Sequence, residues 1–257
     1  MYPNKLKAHL AQDRPICGCM IQGYMPALAE IAGLAGFDFL FLDAEHSSLS
    51  VTECENMVRA AEARGIVPLV RVPNCKADTI LRYLDCGAMG VILPGIANAE
   101  EAKRAVQAAK YYPMGERGLN GVRASDYGMA KPLSEYTADA NRETMVIPII
   151  ENREAIDNLD EILAVEGIDG MILGASDLSQ SLGVPGQGKH PLVLAAKKRF
   201  IEAGQASGKP FGTVVRAGES IDAYLAEGMK ILMVNAYALF GSAAKGFVQN
   251  FRNNQRE

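Results

Sequence analysis

The chain has 257 residues, a hydrophobic fraction of 49%, charged residues at 22% and a formal net charge of −4. That length fits one large domain or two small ones, and the apolar content supplies a sizeable core. The slight negative charge, with Lys and Arg scattered, excludes a general attraction to nucleic acid or to acidic membrane surfaces.

The first segment, MYPNKLKAHLAQDRP, lacks the apolar centre of a secretory signal, and no apolar run reaches the roughly 18 residues of a spanning helix. The expectation is a cytoplasmic protein with no membrane partner. Short apolar runs then recur along the chain: 16–20, 38–43, 67–72, 90–95, 145–151, 169–174, 210–215 and 230–235. They are continuous rather than alternating, as strands covered on both faces of a parallel sheet require. The intervening segments, such as 98–110 and 154–165, have the spacing of amphipathic helices. Eight βα repeats predict an α/β protein closed into a (β/α)8 TIM barrel, read as one domain over 1–257. A last helix is expected at about 236–254. The longest irregular connection, 111–142, is rich in Pro, Gly and Tyr and reads as an ordered active-site loop. The five cysteines form no CxxC pair; Cys17 and Cys19 share a strand face and are expected as buried thiols.

Barrel enzymes build their sites at the carboxyl ends of the strands. Asp43, Glu45 and His46 follow strand two, Arg71 ends strand three, and Pro94 and Gly95 end strand four. Glu151 ends strand five, Gly174 to Asp177 follow strand six, and Arg216 follows strand seven. Glu151 and Asp177 would repel each other unless a proton or a hard divalent cation sits between them. Taken singly, Glu151 could instead pair with Arg153, and Asp177 could cap the helix that begins DLSQSL. His46 suits proton transfer, or is merely held by a nearby carboxylate. Arg71 would aim a guanidinium at the keto oxygen of an α-keto acid, where charge grows on enolisation, or would form an internal ion pair. Gly174, Ala175 and Ser176 present backbone N–H groups at a helix start, a site for a carboxylate. His9 and His190 are expected to face solvent. No strand interior carries a Lys, which argues against a Schiff-base mechanism. GxSxG and GxxxxGK[ST] motifs are absent.

The stretches GFDFLFLDAEHSSLS, VRVP, LRYLDCGAMGVILPGI, YYPMGERG and IIENREAIDNLDEILAVEGIDGMILGASDLSQSLG, in that order, resemble the HpcH/HpaI aldolase family. The resemblance spans about 15–235. It implies a phosphoenolpyruvate/pyruvate-binding barrel that acts as a class II aldolase, cleaving a 4-hydroxy-2-keto acid to pyruvate and an aldehyde. It further implies Glu151 and Asp177 as ligands of Mg2+, Mn2+ or Co2+, and Arg71 on the keto oxygen. His46 would be the acid–base group, helped by Asp43 and Asp85, and the amides of Ser176 and Asp177 would hold the pyruvate carboxylate. A homo-oligomer is implied too, a hexamer built as a trimer of dimers, with the last helix packed on a neighbouring subunit. Three positions depart from the family pattern. Ile149 stands where Gln is frequent, Ser176 replaces Pro or Ala, and strand eight ends MVNAYALF rather than in a GVD-like turn. A related lyase or decarboxylase, and a keto-acid-binding barrel without turnover, are the alternatives.

Overall fold

The computed structural model describes residues 1–254. Eight parallel strands close into a barrel in chain order. They are β1 (Ile16–Ile21), β2 (Phe39–Asp43), β3 (Val67–Arg71), β4 (Gly90–Leu93), β5 (Met145–Ile150), β6 (Met171–Leu173), β7 (Phe211–Val215) and β8 (Ile231–Asn235). β8 pairs back onto β1, with Met20 beside Asn235. The helix α1 (Lys5–Ala11) precedes the barrel, and α2 (Pro26–Leu34), α3 (Val51–Ala63), α4 (Ala77–Asp85) and α5 (Ala99–Ala109) follow the first four strands. Then come α6 (Leu133–Glu143), α7 (Arg153–Asp157), α8 (Leu159–Ala164), α9 (Ala175–Ser181), α10 (Pro191–Ser207), α11 (Asp222–Ala226) and α12 (Ala236–Asn253).

Side chains alternate across each strand, so every second residue points into the barrel. The interior is packed by Ile16, Met20, Phe39, Phe41, Val67, Leu69, Ile92, Ile147, Ile149, Ile172, Ile231 and Met233, with Leu6 of α1 joining from below. Gly18 lies on the same parity of β1. A Cβ there would come within 2.2 Å of the Phe39 ring, so its missing side chain makes room for a large one. The opposite parity, including Leu40, Leu42, Val70, Val91 and Val146, packs outward under the helices. Each fully buried aliphatic or aromatic side chain contributes roughly 1.5–3 kcal/mol. Helix starts are set locally: Ser50 and Glu53 form a reciprocal capping box on α3, and Asn98 caps α5.

Four expectations need correction. The segment 111–142 follows α5 and precedes β5, so most of it lies at the amino-terminal face, opposite the strand ends that carry the site residues, while its Glu116 lines the groove shared with Glu45 and Glu151. It holds a 3-10 turn at Arg123–Gly128 and most of α6. Its Arg123 pairs with Glu62 and donates to the Cys86 carbonyl at 2.9 Å, both at the lower ends of helices. The helix read over 154–165 is two helices, broken at Asn158, whose Nδ2 donates to the Ala97 carbonyl instead. Cys19 is buried but Cys17, at the start of β1, is exposed. His9 and His190 are half buried, and His190 caps α10 by accepting from the Leu192 N–H at 3.3 Å.

Candidate active site

Continuing the inward parity past the last packed layer gives the polar layer of the mouth. In β2 the series Phe39, Phe41 ends at Asp43; in β3 Val67, Leu69 ends at Arg71; in β5 Ile147, Ile149 continues to Glu151. Register places Asp43 beside Arg71. Arg71 donates from Nε to Asp43 Oδ1 at 2.9 Å and from Nη2 to Oδ2 at 2.6 Å, a two-pronged pair whose carboxylate is fully buried. The ion-pair reading of Arg71 therefore holds, and the pair sits at the mouth rather than inside the packed core. Burial alone would raise the Asp43 pKa. The Arg71 pair, the His46 backbone N–H and the Gln22 side chain outweigh it and hold the carboxyl below its ordinary value.

Arg71 also lies 3.3 Å from Glu45 Oε2. Glu45, placed after strand two by the sequence but given no role there, approaches the same guanidinium. Its Oε2 is buried without a hydrogen bond, and burial, opposed by Arg71, raises its pKa. The signal that could have found it is its place between Asp43 and His46 in a turn that folds back over the barrel end.

Glu151 is buried and accepts from the Gly95 N–H at 2.6 Å through Oε1, and among the described residues it forms no ion pair with Arg153. Its other oxygen turns toward Gly174, where a Cβ would stand 2.9 Å from Oε2 and 2.7 Å from the Glu151 Cβ. Glycine at 174 is thus what lets this carboxylate lie against the start of α9. Burial raises the Glu151 pKa, the Gly95 amide opposes it, and Glu45 and Asp177 raise it further. Asp177 is in the first turn of α9 but does not cap it. Gly174 is the N-cap, and no side chain closes that end. The amides of Ala175, Ser176 and Asp177 are therefore in the first turn of an uncapped helix, the condition for receiving an anion.

His46 stands at the rim, its side chain 56% exposed, with Nε2 3.9 Å from Glu45 Oε2 and its backbone N–H on Asp43 Oδ1 at 3.1 Å. Arg216 turns outward and is 77% exposed, so it adds nothing to the centre. Asp85 is not brought to this mouth. It ends α4 at the amino-terminal face and pairs with Arg117 at 2.7 Å, because a helix following a strand runs back down the barrel. Only the mouth of another protomer could meet it.

The donor set can be tested against a divalent cation. Glu45 and Glu151 each feel the negative charge of Asp177 and the positive charge of Arg71, and the buried Glu45 Oε2 lacks a hydrogen bond. Hard oxygen donors with unrelieved like charge fit such an ion. Among the described residues no group of three acidic, His or Cys side chains could hold a metal ion, so substrate oxygens and water would have to supply most of the shell. A groove leads outward from Glu45 and Glu151 past Pro94, Gly95 and Cys75. The Cys75 thiol, pushed up to about 12 by burial and nearby carboxylates, stays protonated and donates to the Pro94 carbonyl at 3.2 Å. A more enclosed cavity lies at the opposite face, lined by Met1, Tyr2, Glu62, Arg123 and Tyr127. It holds none of the converging carboxylates, so the chemistry is assigned to the mouth.

No described helix is long and apolar enough to cross a membrane. The chain is 34% identical over 254 residues to 5-keto-4-deoxy-D-glucarate aldolase of Shigella dysenteriae, covering 98% of both proteins. It superposes on a HpcH/HpaI aldolase/citrate lyase family protein from Burkholderia cenocepacia with a TM-score of 0.92 at 30% identity, covering 97% of this chain and 99% of that one. The citrate synthase SbnG matches with a TM-score of 0.89 at 31% identity, covering 98% of this chain and 99% of that one. The HpcH/HpaI aldolase/citrate lyase family model matches residues 17–236. The chain belongs to the HpcH/HpaI aldolase/citrate lyase family, a family of carbon–carbon lyases.

Proposed function

We propose that this protein is a class II aldolase that reversibly cleaves a 4-hydroxy-2-keto acid to pyruvate and an aldehyde. The observation that carries the reading is the buried Arg71 guanidinium, which Asp43 holds in a fixed plane and Glu45 approaches to 3.3 Å, with the buried Glu151 carboxylate at the same strand ends. Glu151 and Asp177 would hold a divalent ion, Mg2+, Mn2+ or Co2+, with the keto acid completing the shell. When bound, that ion supplies Lewis-acid polarisation of the keto group. The α9 amides at Ala175 to Asp177 would receive the substrate carboxylate, with Gly174 leaving the space. Arg71 would donate to the C2 oxygen.

In the cleavage direction His46 Nε2 takes the proton of the C4 hydroxyl, directly or through water at the rim. The C3–C4 bond then breaks, the aldehyde leaves, and the electron pair moves into a C2–C3 double bond. Negative charge accumulates on the C2 oxygen, where Arg71 donates, and protonation at C3 gives pyruvate. Donors placed where charge develops act mainly on the transition state. The aldolase relatives support this reading, and the likeness to a citrate synthase favours one second reading, in which the enolate attacks a keto acid instead of an aldehyde. Deuterium exchange into the pyruvate methyl group tests the reading. Exchange should require a divalent ion and stop on chelation, and exchange that survives thorough chelation would overturn the class II assignment.

We also propose that α12 packs on a second copy of the chain, in a cytoplasmic homo-oligomer whose hexameric form is a trimer of dimers. Phe240, Phe247 and Phe251 are exposed along this helix, an apolar face without cover in the protomer. A chain ending at Tyr237 should be smaller by light scattering; unchanged size and stability would refute the arrangement.

A further inference from the structure

The inward parity brings another pair of polar side chains to the mouth, at the seam where β8 closes on β1. Asn235 ends β8 and Gln22 follows β1; both are half buried, and the mechanism above uses neither. Asn235 is the N-cap of α12, its Oδ1 accepting from the N–H groups of Tyr237 at 2.8 Å and Ala238 at 3.3 Å. Its Nδ2 donates to Gln22 Oε1 at 2.8 Å. Gln22 Nε2 in turn donates to Asp43 Oδ2 at 2.9 Å. Tyr237 secures the same corner by donating its hydroxyl to the Gln22 carbonyl.

The orientation of both amides follows from the two ends of this chain. Asp43 is an acceptor only, so Gln22 must turn its NH2 toward it and leave Oε1 for Asn235. The α12 amides are donors only, so Asn235 must give them Oδ1 and keep its NH2 for Gln22. Reversing either amide would oppose two acceptors or two donors. The bonds therefore run one way, from the first turn of α12 to the carboxylate that grips Arg71, and bonds aligned in series polarise one another.

The need for such a chain is visible at Asp43. Its Oδ1 is held by the N–H groups of Glu45 and His46, both at 3.1 Å, besides Arg71 Nε. Among the described residues its Oδ2 has only Gln22 besides Arg71 Nη2. Without Gln22 the carboxylate could pivot about the Oδ1 side, and the guanidinium plane would turn with it.

We propose that Gln22 and Asn235 are positioning residues for Arg71, fixing the Asp43 carboxylate and hence the guanidinium pose from the first turn of α12. The proposal rests on the aldolase reading of Arg71. It also ties the mouth to the helix that carries the uncovered apolar face.

Two variants separate this role from a structural one. Gln22→Met keeps the length of the side chain and removes both hydrogen bonds. Asn235→Asp keeps the oxygen that caps α12 but loses the donor, so Gln22 must flip or withdraw and the relay is broken either way. Each should slow pyruvate methyl exchange about tenfold in kcat, the size of one hydrogen bond to a charged group, with KM for pyruvate scarcely changed. Because the residues act in series, the double variant should be no slower than the worse single one. Asn235→Asp should keep the native Tm and oligomeric size. Crystal structures of both variants should show Arg71 released from its two-pronged pose on Asp43. Unchanged exchange, additive losses in the double variant, or a native Arg71 pose in both structures would overturn the proposal. If the native protein shows no exchange at all, the aldolase reading fails, and the crystal structures alone decide the relay.

Discussion

Both ends of the barrel bury charge, but they arrange it differently. At the amino-terminal face each buried cation has its own acceptors. Lys110, lowered to about 8 by burial, donates to the carbonyls of Asn141 at 2.8 Å and Thr144 at 2.5 Å. Arg117 pairs with Asp85 at 2.7 Å and lies over the Tyr111 ring at 4.8 Å, and Arg123 pairs with Glu62. At the carboxyl end Glu45 and Glu151 feel the like charge of Asp177, and their nearest cation, Arg71, is already gripped by Asp43. Cations met by carboxylates or carbonyls close the lower loop over the barrel. Unrelieved like charge at the mouth costs stability, and groups kept at such a cost are those with a ligand to bind.

If that contrast is right, substitutions at the mouth should cost activity and leave stability almost untouched. The largest loss should come from Glu151→Gln or Asp177→Asn, which remove the proposed ion ligands and should abolish ion-dependent exchange while the protein stays folded. His46→Ala should slow aldol cleavage roughly 10²–10⁴-fold, the contribution of a proton-transfer group. Arg71→Lys keeps the charge but loses the planar fork, and should cost roughly 10²–10³-fold, as for a missing oxyanion donor. Oxaloacetate decarboxylation separates the last two, since it needs the enolate but no aldehyde proton. It should fall with Arg71→Lys and survive in His46→Ala, and equal damage would refute the division of labour between them.

The opposite face should answer in the reverse way. Asp85→Asn leaves Arg117, whose side chain is 1% exposed, without its counter-charge, and should cost about 3 kcal/mol of stability. Denaturant unfolding measures this, and exchange at a temperature well below the transition should be close to native. A variant that keeps its stability but loses exchange would place Asp85 at the mouth of a neighbouring protomer.

How much of this was legible in the sequence depended on the period of the strands. Continuous apolar runs marked eight strands within a residue or two, because almost every strand residue is buried, Cys17 and Val214 being exposed. Reading strand ends as a site list found Asp43, Arg71, Glu151 and Asp177, since chain order alone puts them at the carboxyl end. The same reasoning, applied with parity, would also have found Gln22 and Asn235, which continue the inward series Ile16, Met20 and Ile231, Met233. They were missed because short polar amides do not stand out as chemistry. For Asp85 and the segment 111–142 the end of the barrel was not read, for a different reason. For the segment composition, and for Asp85 the resemblance, supplied a role without a direction, whereas a residue at the end of a helix after a strand must lie at the bottom of its own barrel. Glu45 stood among the residues after strand two but received no role, because the turn after β2, not strand parity, aims its side chain.

The smallest effect tests the electrostatic half of the contrast directly. Glu151 has its pKa raised above the ordinary 4.5, chiefly by burial and then by Glu45 and Asp177, so the folded protein holds that proton more tightly than the unfolded chain. The penalty is absent below the ordinary value, grows as pH rises through the folded pKa, and is complete above it. Asp43 works in the opposite sense. Its lowered pKa gives stability that is present above the ordinary 3.8 and is lost as pH falls through the folded value. The two contributions occupy different pH windows, so a comparison of native protein with Glu151→Gln isolates the first. The variant keeps an oxygen for the Gly95 N–H and lacks the charge. In chelator, its Tm should match the native protein at the acidic end and exceed it increasingly as pH rises past 4.5. Adding a divalent ion should erase or reverse the gap, because only the native carboxylate gains from the cation. A gap that is flat with pH, or a variant less stable than native in chelator at neutral pH, would mean that the mouth carries no such penalty.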